Sequence, residues 1–396
     1  MGGMQTARTA AGPTVLDALS LLSEVADELV LRTVRDTHVA VLDRVHGLGR
    51  RATGASGRSA GEALHRGIAA AVYGGLGAGL RAASRGLDRA AATGRGPRLE
   101  DDVRGRFLSA AVNGLIGDRL QQERPRLAIP LAVRVGGRDV AAEPVALAAA
   151  FPEPRRRVAV LLHGLCESDA AWQVHRTAVG TTYPQTLVEL GWTPVVLRMN
   201  SGLPLRENGV ALTALLQTLV DAWPGGVEQV ALVGHSMGAL VMRAAGAVAT
   251  DVEAPWTRLV TDVVSLGAPH LGAPLASYVG HGSAALGRLP ESAGFGRILD
   301  WRSVGVHDLV AGLAEDVPPL PEARYRLVSA TLTRSPRHPV GAVLGDLLVR
   351  QPSAYGRTRG RPDLFPDAET LHVPRADHFD LLNHADVHAA LRRWLA

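Results

Sequence analysis

The sequence predicts an α/β fold in which a mostly parallel central sheet is covered by helices on both faces. After about residue 127, short apolar runs alternate with amphipathic segments, which is the pattern of strands that alternate with helices. Before residue 125, apolar residues recur at helical spacing instead. The 396 residues exceed what one compact core usually holds. We therefore expect an N-terminal helical region over residues 1–125 and an α/β domain over residues 126–396.

The composition argues against a nucleic-acid partner. All 42 basic residues are arginine, the net charge is +4, and residues 1–125 contain 17 arginines against 13 acidic residues. This excess is small and scattered, so we predict a solvated helical surface rather than a nucleic-acid site. Peripheral membrane contact through the N-terminal helices is the alternative. Cys166 is the single cysteine, so no internal disulfide can form.

The N-terminus lacks the pattern of an export signal. Asp17, Glu24 and Asp27 interrupt its first apolar stretch, so no signal peptide is evident. The longest uncharged apolar run covers residues 67–80, and its 14 residues are too few to span a bilayer. We expect a cytoplasmic protein that is either soluble or associated with a membrane surface.

The N-terminal region is predicted to form several helices. Thr14 and Asp17 have the spacing of a helix cap, and a second helix is expected around residues 39–45, before a loop over residues 53–59. In the next helix small residues recur every four positions and form a smooth strip, namely Gly67, Ala71, Gly75 and Gly79. We expect another helix to pack closely on this strip, with lipid as the alternative.

The region after residue 126 supplies the strands of the sheet. The apolar runs predicted as strands are AIPLAVRV, EPVALAAAF, RRVAVLLHG, TPVVLRMN, VEQVALVG, LVTDVVSLGAP, RYRLVSATL and ETLHVPRADH. Helical segments between most of them predict the covering helices. Ligands of such sheets bind beyond the carboxyl ends of the strands, where we expect the functional residues.

The motif G-x-S-x-G occurs twice, around Ser59 and around Ser236. Ser59 lies in a polar, glycine-rich segment without a preceding strand, which predicts an ordinary loop serine. Ser236 follows the predicted strand VALV and precedes a helical segment, which is the setting of a nucleophile elbow. Side chains two positions before and after such a serine would collide, so Gly234 and Gly238 fit the turn. We predict that Ser236 is a nucleophile.

A nucleophilic serine needs a base. In folds with a nucleophile elbow the base follows the serine and the acid along the chain, so we expect it near the C-terminus. The candidates are His372, His378, His384 and His388. His372 lies within a predicted strand, and His384 and His388 lie at the start of the final helix or within it. His378 lies in the loop between these elements, and we predict that it is the base. The spacing of His384 and His388 is compatible with a metal, but no catalytic acidic motif accompanies them, so no metal site is predicted.

The base needs an acid that orients it, and the acid is expected after the strand RYRLVSATL. Asp346 lies in this loop in an apolar setting that suits a carboxylate with a purely orienting role. Asp363 and Asp367 are alternatives, although each is more typical of a turn residue beside a proline. We predict that Asp346 is the acid.

Two backbone amides are needed to stabilise the negative charge that develops on the substrate oxygen. We predict the amide of Met237, which follows the nucleophile, and the amide of Leu165, which follows the strand VAVLL. The neighbouring residues His163, Gly164 and His235 are predicted to contact the substrate. Cys166 is expected to be a packing residue, because nothing nearby would favour its thiolate.

Six segments carry a resemblance to a known family, namely LLHGL, LRMNSGLPLRENG, LVGHSMGALVMRAA, SLGAPHLGAPLA, GDLLVRQPSA and DHFDLLNHADV. Through them, residues 158–396 resemble bacterial α/β-hydrolases of the triacylglycerol-lipase and GPI-inositol-deacylase-like group. The resemblance implies the α/β-hydrolase fold and a serine esterase or lipase acting through Ser236, Asp346 and His378. Ala239 stands where the family usually has glycine, and residues 267–270 are GAPH where GTPH is common.

The expected activity is hydrolysis of a small-molecule carboxylic ester or a lipid through an acyl-enzyme, without metal or organic cofactor. An acyltransferase with the same residues and a catalytically silent, hydrolase-like binding protein are the alternatives. Residues 271–321 are rich in glycine and alanine and are predicted to form a cap over the serine. The alternative is an insertion that stays fixed and has no role at the site.

Overall fold

The computed structural model describes residues 12–32, 35–36, 38–39, 60–94, 96–273, 303–313 and 317–396. Most of the predicted helix around residues 39–45, the loop with Ser59 and most of the predicted cap lie outside these residues. The helices are α1 (Val15–Val25), α2 (Ala60–Ala91), α3 (Val103–Glu123), α4 (Pro144–Ala150), α5 (Arg176–Val179), α6 (Tyr183–Glu189), α7 (Leu205–Ala222), α8 (Met237–Gly246), α9 (Val304–Ala311), α10 (Pro339–Leu344), α11 (Gln351–Ala354) and α12 (Ala385–Trp394). The strands are β1 (Ala132–Val135), β2 (Arg138–Val140), β3 (Arg157–Leu162), β4 (Thr193–Arg198), β5 (Gln229–His235), β6 (Val260–Leu266), β7 (Arg324–Thr331) and β8 (Glu369–Pro374).

The chain divides into two compact units. Among the described residues, the first unit ends at Arg106 and the second begins at Phe107. The division therefore lies earlier than the predicted boundary at residue 125. The reason is that the later part of α3 bonds within the second unit, where Asn113 donates to the carbonyl of Leu127 and accepts from the amide of Ile129.

Eight strands form one sheet in the second unit, in the order β2-β1-β4-β3-β5-β6-β7-β8. Strands β3 to β8 are parallel, whereas β1 pairs antiparallel with both β2 and β4. Parallel neighbours need crossover connections, which place helices over the faces of the sheet. This is the α/β-hydrolase fold that the sequence predicts. It brings the carboxyl ends of the parallel strands to one edge.

Both faces of the sheet are buried, as strand β3 illustrates. Val158, Val160 and Leu162 pack into one apolar cluster, and Ala159 and Leu161 pack into the cluster on the opposite face. A strand buried on both faces has a continuous apolar sequence rather than an alternating one, which is what the segment RVAVLL shows. The two cores hold the strand ends, and therefore the loops that follow them, in fixed positions.

One predicted strand is wrong, because the segment EPVALAAAF forms helix α4. Pro144 occupies the first helical turn, where its missing amide costs no hydrogen bond and its fixed φ suits a helix. The alanines that follow have the highest helix propensity of any residue. The short strand β2 pairs with β1 instead and completes the antiparallel end of the sheet.

In the first unit, α1 begins at the cap that the sequence predicts. The Thr14 hydroxyl accepts a hydrogen bond from the Asp17 amide, and the Asp17 carboxylate accepts one from the Thr14 amide at 2.8 Å. This reciprocal pair satisfies two amides that a helix start would otherwise leave without partners. Among the helices of the described residues, none combines the length and the apolar character needed to cross a membrane.

The predicted close packing on the small-residue strip of α2 is wrong. A methyl group added at Gly67, Gly75 or Gly79 would meet no atom of the described residues within 4 Å. The close approach occurs at Gly77, where Asp27 lies against the helix backbone. The apolar pattern of α2 covers most of its circumference, so the sequence does not distinguish the buried face from the open one.

Candidate active site

The turn between β5 and α8 holds Ser236 in a strained conformation. Its φ of 51° and ψ of −121° lie in a region that residues other than glycine rarely adopt. Its amide donates a 2.8 Å hydrogen bond to the last residue of β6, which fixes the turn against the sheet. A side chain at Gly234 would clash with Ala239, and one at Gly238 would clash with the Leu162 carbonyl. The two glycines therefore permit the turn.

The loops after β7 and β8 bring Asp346 and His378 together. Nδ1 of His378 lies 2.8 Å from Oδ2 of Asp346, and both side chains are buried. The other carboxylate oxygen accepts hydrogen bonds from two backbone amides of its own loop, at 3.0 and 2.7 Å. Such charge-assisted bonds fix the carboxylate, which in turn fixes the imidazole. The alternative acids, Asp363 and Asp367, are exposed.

Ser236 and His378 line one cleft of about 590 Å³. Nε2 of His378 is buried and has no hydrogen-bond partner among the described residues, Ser236 included. Where a serine and a histidine act together in catalysis, the bond between them often tightens only when substrate binds. The other residues that line the cleft are Leu165, Glu167, Pro269, Ala273, Val306, Leu309, Leu348, Val349 and Phe379. A serine in a strained turn and an imidazole nitrogen without a partner among the described residues thus lie in a mostly apolar cleft.

The turn after β3 lies directly against Ser236. A Cβ atom added at Gly164 would stand 3.0 Å from the Cβ atom of Ser236, so only glycine lets the turn come this close. The Gly164 amide donates a 2.7 Å hydrogen bond to Glu167. The amides of Leu165 and Met237 make no hydrogen bond to any residue in the described part of the chain. Two such amides can stabilise a negatively charged oxygen.

A buried ion pair links the three loops around Ser236. Oε1 of Glu167 lies 2.9 Å from Nδ1 of His235, the residue before Ser236. Nε2 of His235 donates to the carbonyl of His378 at 3.2 Å. Because Glu167 also accepts the Gly164 amide, the pair connects the turn after β3, the elbow and the loop after β8.

The surroundings of this pair keep both groups charged. Burial alone would raise the pKa of Glu167, but the His235 imidazolium and the hydrogen bonds from His235 and Gly164 lower it to about 2. Burial alone would lower the pKa of His235, but Glu167 raises it above its ordinary value. No motif identifies Glu167 in the sequence, since its partner lies 68 residues further along the chain.

Replacement of Glu167 by glutamine is expected to lower the free energy of unfolding by about 3 kcal/mol near pH 6, because it leaves a buried histidine without its counter-ion. The Glu167 contribution is present above its ordinary pKa of 4.5 and is lost as the pH falls towards 2. The His235 contribution is present below its ordinary pKa of 6.5 and is lost as the pH rises through its raised value. The difference in the free energy of unfolding between Glu167→Gln and wild type should therefore be greatest between pH 4.5 and pH 6.5.

Urea unfolding at several pH values measures this difference. The matched control is Glu189→Gln, because Glu189 pairs with Arg392 at the surface with both side chains about half exposed. We expect this control to change stability by less than about 1 kcal/mol. A pH-independent effect of Glu167→Gln would contradict the ion pair.

The substrate contacts predicted for His163, His235 and Gly164 stay predictions, and the structure gives each of these residues a partner within the protein. Both histidines are fully buried, and none of the three residues lines the cleft. Nδ1 of His163 donates to the Gly164 carbonyl at 2.9 Å, and its Nε2 accepts the amide of Met199 at 3.1 Å. Burial lowers the pKa of His163, so the ring is neutral. His163 and His235 support the loops of the site from behind the cleft wall.

The remaining candidates have structural partners. His372 and His388 each bond a threonine hydroxyl, at 2.9 and 2.8 Å, and His384 caps α12. Burial raises the pKa of the Cys166 thiol to about 11, which makes it a poor nucleophile. Across the residues that the structure describes, no three His, Cys, Asp or Glu side chains gather where they could hold a metal ion.

No family model and no curated protein matches this chain. Similar solved structures include the mature form of the lipase BlEst2 of Bacillus licheniformis, at 20% identity and a TM-score of 0.43 over 62% of this chain and 94% of that one. EstA from Clostridium botulinum is 13% identical, with a TM-score of 0.41 over 61% of this chain and 87% of that one. The carboxylesterase CesB (YbfK) of Bacillus subtilis is 14% identical, with a TM-score of 0.37 over 74% of this chain and 97% of that one.

These structural neighbours are bacterial esterases and lipases, at low identity. The finer resemblance to the GPI-inositol-deacylase-like group stays a prediction. The α/β-hydrolase type of fold rests on the strand order of the sheet and on the parallel pairing of β3 to β8.

Proposed function

We propose that this protein hydrolyses carboxylic esters through an acyl-enzyme formed on Ser236. The observation that carries the proposal is the meeting of Ser236 with the Asp346–His378 pair at one apolar cleft. A strained serine between sheet and helix, a buried imidazole and a carboxylate that orients it are the parts that acyl transfer requires.

In the proposed reaction, Oγ of Ser236 attacks the ester carbonyl while Nε2 of His378 takes its proton. The carbonyl oxygen becomes negatively charged and accepts hydrogen bonds from the amides of Leu165 and Met237. The tetrahedral intermediate collapses, the alcohol leaves with the proton from His378, and the acyl group stays on the serine. Water then attacks the acyl-enzyme by the same route and releases the acid. Asp346 stabilises the imidazolium that forms at each step.

The cleft favours an apolar acyl group as the substrate's acid part. Its walls carry aliphatic and aromatic side chains, and the three polar residues that line it are Glu167, Ser236 and His378. The carboxylate of Glu167 is held by His235 and the Gly164 amide, so it does not compete for the proton of the serine.

We expect kcat/KM for p-nitrophenyl esters to rise along the series acetate, butyrate and hexanoate. Each added methylene that enters the cleft contributes up to about 0.8 kcal/mol, which is roughly fourfold. Replacement of Leu309 by serine in the cleft wall should flatten this rise, whereas Val210→Ser on the exposed side of α7 should leave it unchanged. Equal kcat/KM values across the series would contradict an acyl site in the cleft.

Covalent labelling tests the proposal directly. A fluorophosphonate is expected to modify the wild-type protein once, and peptide mass spectrometry should locate the adduct on Ser236. Product analysis with added alcohols or thiols distinguishes hydrolysis from acyl transfer to those acceptors. An unlabelled protein that turns over none of the esters would overturn the proposal and favour a catalytically silent binding protein.

A further inference from the structure

The first unit exposes large aliphatic side chains along one helix. Leu64, Ile68, Val72 and Leu76 of α2 follow each other at four-residue spacing, and each is more than half exposed. We call these four residues the α2 ladder. From end to end the α2 ladder measures about 18 Å. Contiguous apolar surfaces of this kind mark interaction sites in monomeric proteins.

The outer face of α2 carries no charge along the part of the α2 ladder from Ile68 to Leu76. No acidic or basic residue occurs between Arg66 and Arg81. The other exposed positions in this stretch are all glycine or alanine, namely Gly67, Ala70, Ala71, Gly74, Gly75, Ala78 and Gly79. A surface helix in water normally places charged residues on its outer face. Helix α2 instead presents an apolar, smooth face.

The contact between α1 and α2 is polar. Ser20 of α1 is fully buried and bonds the hydroxyl of Ser84 at 3.0 Å and the carboxylate of Asp88 at 2.5 Å. Asp27, which follows α1, is buried and bonds Arg81 at 2.7 Å. Two amphipathic helices in water would place such polar side chains on their outer faces and pack apolar side chains between them.

Helix α1 also has aliphatic side chains on its outer side and polar side chains against α2. Leu19 and Leu22 are 43% and 62% exposed, while Asp17 and Ser20 are buried. Polar residues between helices, with aliphatic residues outside, are typical of helices whose outer surface meets hydrocarbon. Water would favour the opposite arrangement.

A cationic hollow of about 300 Å³ adjoins this apolar face. Arg32, Arg35 and Arg81 line it together with Tyr73 and Asp27. Arg81 bonds Asp27 at 2.7 Å and Arg35 bonds Asp36 at 2.8 Å, so the three guanidinium groups exceed these two carboxylates by one positive charge. The side chains of Arg32 and Arg81 are about half exposed, so they remain accessible. Guanidinium groups bind phosphate oxygens through paired hydrogen bonds. The hollow is thus suited to an anionic headgroup.

We propose that the α1–α2 pair docks on an anionic lipid surface, with the α2 ladder in the apolar boundary and a lipid phosphate in the arginine hollow. Charge decides between this occupant and a second copy of the chain. A second copy would offer the same cationic hollow, whereas an anionic lipid offers the complementary charge. The apolar face and the hollow are used together at such a surface.

Flotation of the full chain with vesicles of phosphatidylcholine, with and without phosphatidylglycerol, tests the proposal without any catalytic readout. Wild type is expected to float with the vesicles that contain phosphatidylglycerol. The combined replacement Ile68→Ser, Val72→Ser and Leu76→Ser should weaken partition about 10³-fold, since each buried aliphatic side chain contributes roughly tenfold. The matched control replaces exposed valines of the second unit, Val145→Ser, Val188→Ser and Val210→Ser, and should float as wild type does.

The arginine hollow has its own test. The combined replacement Arg32→Gln and Arg35→Gln should weaken partition roughly 30-fold on phosphatidylglycerol vesicles, at about 1 kcal/mol per arginine, and leave weak binding to phosphatidylcholine unchanged. Wild type that does not float, or a ladder variant that floats like its control, would overturn the proposal. A wild-type dimer that the ladder variant converts to a monomer, without flotation, would assign the face to a second copy and also overturn it.

Discussion

Replacement of Ser236 by alanine is expected to lower kcat for p-nitrophenyl esters by about 10⁶-fold. Alanine removes the oxygen that would form the acyl-enzyme, so neither His378 nor the two amides has a nucleophile to assist. The strained backbone depends on Gly234 and Gly238, which stay in place, so the turn should keep its φ of 51°. We therefore expect loss of turnover at unchanged melting temperature, measured on the same purified protein.

The matched control is Ser59→Ala, because Ser59 lies in the same G-x-S-x-G sequence motif. If the strand–turn–helix setting creates the nucleophile, this variant should hydrolyse esters at the wild-type rate. Turnover of Ser236→Ala within about tenfold of wild type would show that another residue carries the chemistry, and the proposed function would fail.

The parts of the site that follow from chain order could be located in the sequence. The elbow depends on residues that are neighbours along the chain, so Gly234, Ser236 and Gly238 can be recognised together. Asp346 and His378 each follow a strand, and parallel strands all end at the same edge of the sheet. In the structure β7 and β8 are neighbours in the sheet, and the two side chains lie 2.8 Å apart.

The residues behind the cleft could not be located in this way. Glu167 and His235 are 68 residues apart, and neither strand pattern nor motif indicates that they pair. Burial also depends on the complete fold. His163 ends up fully buried with bonds to Gly164 and Met199, although its position at a strand end is equally compatible with substrate contact.

Two errors in the fold have a related cause. The segment of α4 is apolar without alternating polar residues, a pattern that is compatible with a buried strand and with a short helix. The fixed φ of Pro144 in the first turn favours the helix that the structure shows. In α2, the small-residue strip suggested a packed face, yet the packed face is the one with Gly77, where Asp27 approaches. In both segments the local pattern is compatible with two structures, and only contacts with other elements choose between them.

Replacement of Asp346 by asparagine is expected to lower kcat by about 10⁴-fold with little change in KM. Oδ1 of Asp346 accepts the amides of Leu348 at 3.0 Å and Val349 at 2.7 Å. These donors require an oxygen at this position, so the asparagine must turn its NH₂ group towards His378. Nδ1 of His378 then has to accept a hydrogen bond instead of donating one.

This reversal determines the tautomer of His378, and the tautomer determines the activity. With Nδ1 as acceptor, the ring proton moves to Nε2, which faces the cleft and can no longer take the proton of Ser236. All hydrogen bonds of the loop remain possible, so Asp346→Asn should unfold at nearly the wild-type urea concentration. Asp363→Asn, in an exposed pair with Arg357 at 3.1 Å, is the matched control and should keep full activity. Full activity in Asp346→Asn would mean that the carboxylate does not set the tautomer, and the base would have to be sought elsewhere.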